Sequence, residues 1–238
     1  MSDWLSRTKL ILGAEAVNTL SLSTVAVLGL GGVGGACAEA LCRAGVGRLI
    51  LIDHDLVDET NLNRQLLATR KTVGQKKCDA AKERLQSINP NVQLVLLDQF
   101  YLPENSNFLY EEHPHVVLDA IDTVTAKLHL AENCFAKGIP LVSCMGTGNR
   151  LDPSKLRAGD IAETANTGVG CPLAKVMRRE LRKRGVASLR VIYSVEEPVK
   201  SVCASDSPSG RHSPGSAAFV PPAAGFLLAA EGVKALLK

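Results

Sequence analysis

The sequence predicts an α/β fold: a doubly wound, largely parallel sheet with helices on both faces and a C-terminal extension of the sheet. Three observations predict it. Apolar runs of strand length recur at residues 25–28, 48–52, 92–97, 116–121 and 140–145. Helical patterns lie between several of them, as crossovers between parallel strands require. Glycines cluster directly after the first run, where a strand must turn sharply into a helix.

The elements follow in order. Residues 4–20 read as helical, with Leu5, Ile11, Leu12, Val17 and Leu20 as apolar contacts and Gly13 as a break. Residues 25–28 (VAVL) read as a buried strand. Gly29, Gly31, Gly32 and Gly34 form a tight turn, residues 36–44 a helix closed by Gly47, and residues 48–52 a second strand ending at Asp53. The helix N-terminus of this βαβ unit offers unpaired N–H groups and a positive dipole end, which suit a phosphate. Asp53 lies where a carboxylate can accept hydrogen bonds from ribose hydroxyls.

Residues 75–87 read as an amphipathic helix, with Cys78, Ala81 and Leu85 on one face and Ile88 continuing it. Lys77 falls near its first turn, where the dipole prefers acids; that misplacement suits an anionic ligand, with an exposed lysine as the alternative. Residues 92–97 are a third strand, and 100–114 a polar and aromatic excursion holding a short helix. The fourth strand, 116–121, brings Asp119 and Asp122 to its C-terminal end, where open parallel sheets bind ligands. Asp119 reads either as a ligand contact or as a capping or structural residue. A helix over 124–137, a fifth strand over 140–145 and a glycine-bearing loop over 146–150 follow. Residues 175–184 (KVMRRELRKR) form a basic helix on which Lys175, Arg178, Arg179 and Arg182 are candidate phosphate contacts. A solvated helix face is the bland alternative. The serine-, proline- and glycine-rich stretch 201–216 reads as a flexible loop, and 222–237 as an apolar helix. Phe226, Leu227, Ala230, Val233, Leu236 and Leu237 are expected to pack on the sheet or on a dimer mate.

Composition narrows the class. No apolar run is long enough to span a bilayer, and the N-terminus lacks a secretory pattern. The seven cysteines include no CxxC pair, which argues for reduced thiols and a cytoplasmic protein. The net charge of +3 says little about partners, so the distribution of charge matters more. Gly29, Gly31, Gly34 and Asp53 would by themselves suit a Rossmann-like nicotinamide dehydrogenase or a non-catalytic nucleotide module. The residues after Asp53 shift the balance. Asp55, Asn61, Arg64 and Gln65, with Lys77, form a polar and basic insert that a triphosphate calls for and a pyrophosphate bridge does not.

The GxGGxG turn, the acid-x-acid strand end (Asp53, Asp55), NxxRQ (Asn61, Arg64, Gln65) and GQxK (Gly74, Gln75, Lys77) resemble the adenylating domain of the ubiquitin-activating-enzyme superfamily. Its bacterial members include ThiF and MoeB. The resemblance implies ATP and Mg2+ as cofactors. The nucleotide would be held by Gly29, Gly31, Gly32, Gly34, Asp53, Asp55, Asn61, Arg64, Gln65 and Lys77. Asp122 would hold the metal, and Arg64, Lys77 and Asp122 would serve catalysis. It also implies a homodimer in which Arg7 reaches the nucleotide of the neighbouring subunit. The paired CxxC zinc ligands of many relatives are missing. Beyond residue 150, Asp152-Pro153, DIAET (160–164), CPLAK (171–175) and the basic helix resemble one branch of the superfamily, the tRNA threonylcarbamoyladenosine dehydratases. Cys171 stands where that branch has aspartate, and residues 165–169 look inserted. The implied activity is ATP-dependent cyclisation of threonylcarbamoyladenosine in tRNA through an acyl-adenylate. The alternative is adenylation of the C-terminus of a ubiquitin-like sulfur carrier. A sulfur-relay protein is a candidate further partner. The expected organisation is one adenylating domain over 1–238, with a nucleotide-binding core in 1–150 and a substrate and dimer part in 151–238. Cys203, in the 201–216 loop, is a candidate acyl-accepting thiol, although nothing near it in the sequence lowers its pKa.

Overall fold

The structure, a computed structural model, describes residues 3–166, 171–199 and 214–238. The doubly wound α/β architecture is present. Seven strands form one sheet in the order β3-β2-β1-β4-β5-β7-β6. They are β1 (Thr24–Leu28), β2 (Arg48–Ile52), β3 (Gln93–Leu97), β4 (Val116–Asp119), β5 (Leu141–Cys144), β6 (Leu156–Asp160) and β7 (Arg190–Ser194). All pairings are parallel except β6 with β7. The helices are α1 (Ser6–Leu12), α2 (Ala14–Ser21), α3 (Gly32–Ala44), α4 (Lys77–Ile88), α5 (Asn107–Glu111), α6 (Val124–Lys137), α7 (Pro172–Lys183) and α8 (Val220–Leu236).

The sheet is buried on both faces, which is why its central strands read as unbroken apolar runs. Val25, Val27, Leu49 and Leu51 pack into the cluster under α3, α4 and α8. Their neighbours Ala26, Leu28, Ile50 and Ile52 pack against Leu109 of α5 and Ala126, Leu130 and Cys134 of α6. A third cluster joins Leu128 of α6, Met177 and Leu181 of α7 and Val191 of β7. β7 and β6 supply the expected C-terminal extension. The edge strand β6 (LRAGD) has almost no apolar alternation, so its pattern carries no strand signal. The DIAET stretch that follows is a capping box: Asp160 accepts from Ala162 N at 2.8 Å and Glu163 accepts from Asp160 N at 2.9 Å.

Three sequence expectations need correction. α3 begins at Gly32, not at residue 36, so Gly34 lies within the helix. A Cβ on Gly34 would sit 1.6 Å from the Gly29 carbonyl oxygen, so glycine here permits helix-to-turn contact rather than bending the chain. α3 is closed by Gly45, at φ 93°, and not by Gly47. Gly47 instead lets the backbone approach Ser21, whose carbonyl oxygen would lie 1.8 Å from a Cβ. The last correction concerns α8. Its most buried face carries Ala224, Gly225, Leu228 and Gly232; Leu227, Val233, Leu236 and Leu237 pack half-buried beside it as expected, while Phe226 and Ala230 are exposed. Gly225 and Gly232, seven residues apart, explain this. A Cβ on Gly225 would lie 2.2 Å from the Val33 carbonyl oxygen of α3, and one on Gly232 would lie 2.9 Å from Leu118 of β4. Gly225→Val is therefore expected to force α8 off α3 and to cost at least about 2 kcal/mol. Urea unfolding of the variant checks this, and an unchanged midpoint would contradict it. As expected, Gly13 (φ 87°) breaks the N-terminal helical stretch. Among the described residues, no helix is long and apolar enough to cross a membrane.

Candidate active site

The strand order reverses between β1 and β4, and ligands of such sheets sit outside the carboxyl ends there. A cleft of about 640 Å³ opens at that place. The loops after β1, β2, β3 and β4 line it, and α3 starts at its floor. Gly29 (φ 83°) turns the chain at the end of β1, and a Cβ there would lie 2.8 Å from the Ala120 carbonyl oxygen of the β4 loop. No other residue type fits both the conformation and the contact. Gly31 then caps α3, leaving the first amides of the helix without intrahelical partners.

Asp53 closes the floor. Its carboxylate accepts from Leu30 N at 2.6 Å and from Asp55 N at 2.8 Å, fixing the β1 and β2 loops to each other. Lys77, at the first position of α4, is buried, with its ammonium 2.6 Å from Asp55 and 3.8 Å from Asp53. These two acids offset the unfavourable helix dipole, a reason for tolerating lysine there that spacing alone did not reveal. Asp58 and Asn61 form a second capping box, which sets the bend carrying Arg64 and Gln65. Arg64 Nη1 donates to Thr60 O and Asn63 Oδ1, both at 2.9 Å. Gln65 is buried in the wall, and its Oε1 has no partner among the described residues.

Two carboxylates follow β4, and they differ in kind. Asp119 is fully buried. It binds Lys127 Nζ at 2.8 Å, Ser143 Oγ at 2.6 Å and Ile121 N at 3.1 Å, so it is the structural acid of the two. Asp122 is exposed at the cleft wall, and among the described residues its side chain meets only Thr123 Oγ1, at 3.4 Å. Among the described residues it has no ion pair. Such a carboxylate beside a phosphate cradle fits Mg2+, which takes one or two carboxylates along with phosphate oxygens and water. Asp53, His54 and Asp55 also place ligand atoms within 4.8 Å of one another. Lys77 already supplies a cation for that trio, whereas Asp122 has none among the described residues.

Of the expected nucleotide residues, Gly29, Gly31, Gly32, Asp53, Asp55, Asn61, Arg64, Gln65 and Lys77 line one cleft. Gly34 lies behind the turn, and Arg7 stands exposed on α1, outside the cleft lining. Sequence reading missed the wall formed by His54 and Phe100, whose rings meet edge to face at 4.5 Å between centroids. The signal was available: an aromatic residue just past the carboxyl end of β3 is well placed for a ligand. On α7, Arg178 donates to Thr164 Oγ1 at 2.5 Å, and Arg179 and Lys183 both pair with Glu180. Lys175 and Arg182 are exposed and have no acid partner among the described residues. Burial pushes the Cys78, Cys134 and Cys144 thiols up to about 12, which leaves them unreactive as nucleophiles. Cys203 lies outside the described residues.

The family model described as ThiF family matches residues 5–238. The chain belongs to the ThiF family. Among ThiF-family relatives, the tRNA threonylcarbamoyladenosine dehydratase of Bacillus subtilis (strain 168) is 43% identical over 243 residues, covering 98% of this chain and 94% of that one. The E. coli tRNA N6-threonylcarbamoyladenosine dehydratase, TcdA, solved in complex with AMP, superposes with a TM-score of 0.88 at 31% identity, covering 100% of this chain and 96% of that one. The same protein in complex with ATP gives a TM-score of 0.87 at 31% identity and the same coverage. The full-length match includes the branch-specific region after residue 150, which the nucleotide motifs alone do not reach.

Proposed function

We propose that this ThiF-family chain cyclises threonylcarbamoyladenosine in tRNA at the expense of ATP. The observation that carries the reading is the cleft itself. It joins a glycine turn at a helix N-terminus, two cations and an unpaired carboxylate at the switch point of a chain similar along its length to dehydratases of that substrate.

A carboxylate is a poor electrophile, and adenylation supplies the leaving group. The threonyl carboxylate oxygen attacks the α-phosphorus, the bond to pyrophosphate breaks, and an acyl-adenylate forms. A nitrogen of the same side chain then attacks the acyl carbon, loses its proton, and expels AMP. The net change in the nucleoside is loss of water. Asp53 accepts from the ribose hydroxyls, and the amides at the start of α3 face the phosphates. Arg64 and Lys77 stabilise the charge that grows on the phosphates. Mg2+, held through Asp122, would draw charge from the phosphate oxygens. Ring closure is intramolecular, so its effective molarity is high and no enzyme thiol is needed. Cys203→Ser is therefore expected to keep cyclisation within about threefold of the parent rate. A loss of activity with adenylate accumulating would instead assign that thiol a covalent role.

The same reading makes the protein cytoplasmic and homodimeric, with Arg7 reaching the partner's nucleotide. Residues 1–150 would form the nucleotide core and 151–238 the substrate and dimer part. Lys175 and Arg182 are the strongest candidates for tRNA phosphates, since Arg178 and Arg179 have protein partners. Replacing both with alanine is expected to lower the slope of log affinity against log salt by about one to two. An unchanged slope places the tRNA elsewhere. A sulfur-relay protein as a further partner has no residue in the site that calls for it. The test of the whole reading is pyrophosphate exchange with ATP. Dependence on tRNA bearing the threonylcarbamoyl group supports it. Dependence on a ubiquitin-like carrier would move the substrate to the alternative class, and bound nicotinamide without ATP turnover would replace both.

A further inference from the structure

Pro214, Gly215 and Ser216 form a strap that leads into α8, and two asparagines hold it from opposite sides. Asn149, in the loop after β5, adopts φ 56°, a left-handed conformation that asparagine tolerates better than most residues. Its N–H donates to Gly215 O at 2.7 Å, and its Oδ1 accepts from Gly215 N at 2.7 Å. Its carbonyl oxygen accepts from Val199 N at 2.8 Å, so one residue ties down both Val199 and Gly215. On the other side, Asn63 Nδ2 donates to Ser216 O at 2.9 Å. The Oδ1 of Asn63 accepts from Arg64 Nη1, also at 2.9 Å. Packing follows the same line. A Cβ on Gly148 would lie 2.7 Å from Pro214, and one on Gly32 would lie 2.9 Å from Pro221 and 3.2 Å from Arg64 O.

We propose that Asn63 and Asn149 are positioning residues for Arg64, acting through the 214–216 strap. The inference rests on the reading of Arg64 as a phosphate contact. Arginine is long and flexible, and a charge aimed at a transition state needs its own supporting contacts. Asn63 supplies one acceptor for the guanidinium. The strap fixes Asn63, and Asn149 fixes the strap. Residues far apart in the chain thus connect the loop after β5 to the phosphate-facing loop after β2.

The test compares Asn149→Gly, Asn149→Asp, Asn63→Ala and the Asn63→Ala/Asn149→Gly double variant. Glycine keeps the left-handed backbone and removes the acceptor, while aspartate keeps both. Amide hydrogen exchange at residues 61–66 should quicken about tenfold in Asn149→Gly and match the parent in Asn149→Asp. The kcat for pyrophosphate exchange should fall about tenfold in Asn63→Ala and in Asn149→Gly, with KM for ATP within about threefold. The double variant should be no worse than the worse single, because both act on one strap. Parent-like exchange at 61–66 in Asn149→Gly, or additive kinetic losses, would overturn the proposal. A parent protein that turns over no ATP would defeat the adenylation reading alone, and the amide exchange would still decide the strap.

Discussion

Asp122→Ala is expected to lower pyrophosphate exchange by about 10²–10³-fold, the usual loss when one stabiliser of transition-state charge is removed. Its side chain is exposed and, among the described residues, meets only Thr123, so no described contact of the fold depends on it. Thermal unfolding should stay within about 2 °C of the parent, as for a surface change. The combination is diagnostic, because a fold defect would lower both. Raising Mg2+ should recover part of the rate in Asp122→Asn, where one oxygen ligand remains, and none in Asp122→Ala. Activity in Asp122→Ala close to the parent level would remove the metal from this carboxylate.

Lys127→Met is expected to be the most destabilising of the substitutions considered, by about 3–5 kcal/mol. Lys127 is fully buried and donates to Asp119 at 2.8 Å, to Ser143 Oγ at 3.2 Å and to Cys144 O at 2.9 Å. Removing its charge strands the Asp119 carboxylate in the interior. Replacing both partners, as Lys127→Met/Asp119→Leu, should recover most of the loss, since an apolar pair of similar volume leaves no buried charge. Denaturant unfolding of the two variants settles this. A neutral single variant would mean that Asp119 is neutral or that water reaches it.

These two aspartates also show how far the sequence can be read. Both stand in one short stretch at the end of β4, and residue type does not separate them. The partner that makes Asp119 structural, Lys127, lies in the first turn of α6, a contact that only the fold brings together. The glycine turn, Asp53 and the NxxRQ loop were legible because a strand-to-helix turn, an acceptor for loop amides and a capped bend demand such residues at those places. The burial of Lys77 was not, because its compensating acids come from another strand end. The packed face of α8 was obscured because that helix is apolar nearly all round, so hydrophobicity does not choose a side. Gly225 and Gly232 choose it through backbone contact, and their seven-residue spacing could have been noticed. β6 stayed hidden because an edge strand with charged residues lacks the alternation that marks its neighbours.

The measurement that bears most directly on the chemistry is mass spectrometry of nucleosides from tRNA treated with the purified protein, ATP and Mg2+. The account predicts that the threonylcarbamoyladenosine peak loses the mass of one water as AMP and pyrophosphate accumulate, and that omitting ATP prevents it. An unchanged nucleoside alongside ATP consumption would contradict the assigned substrate.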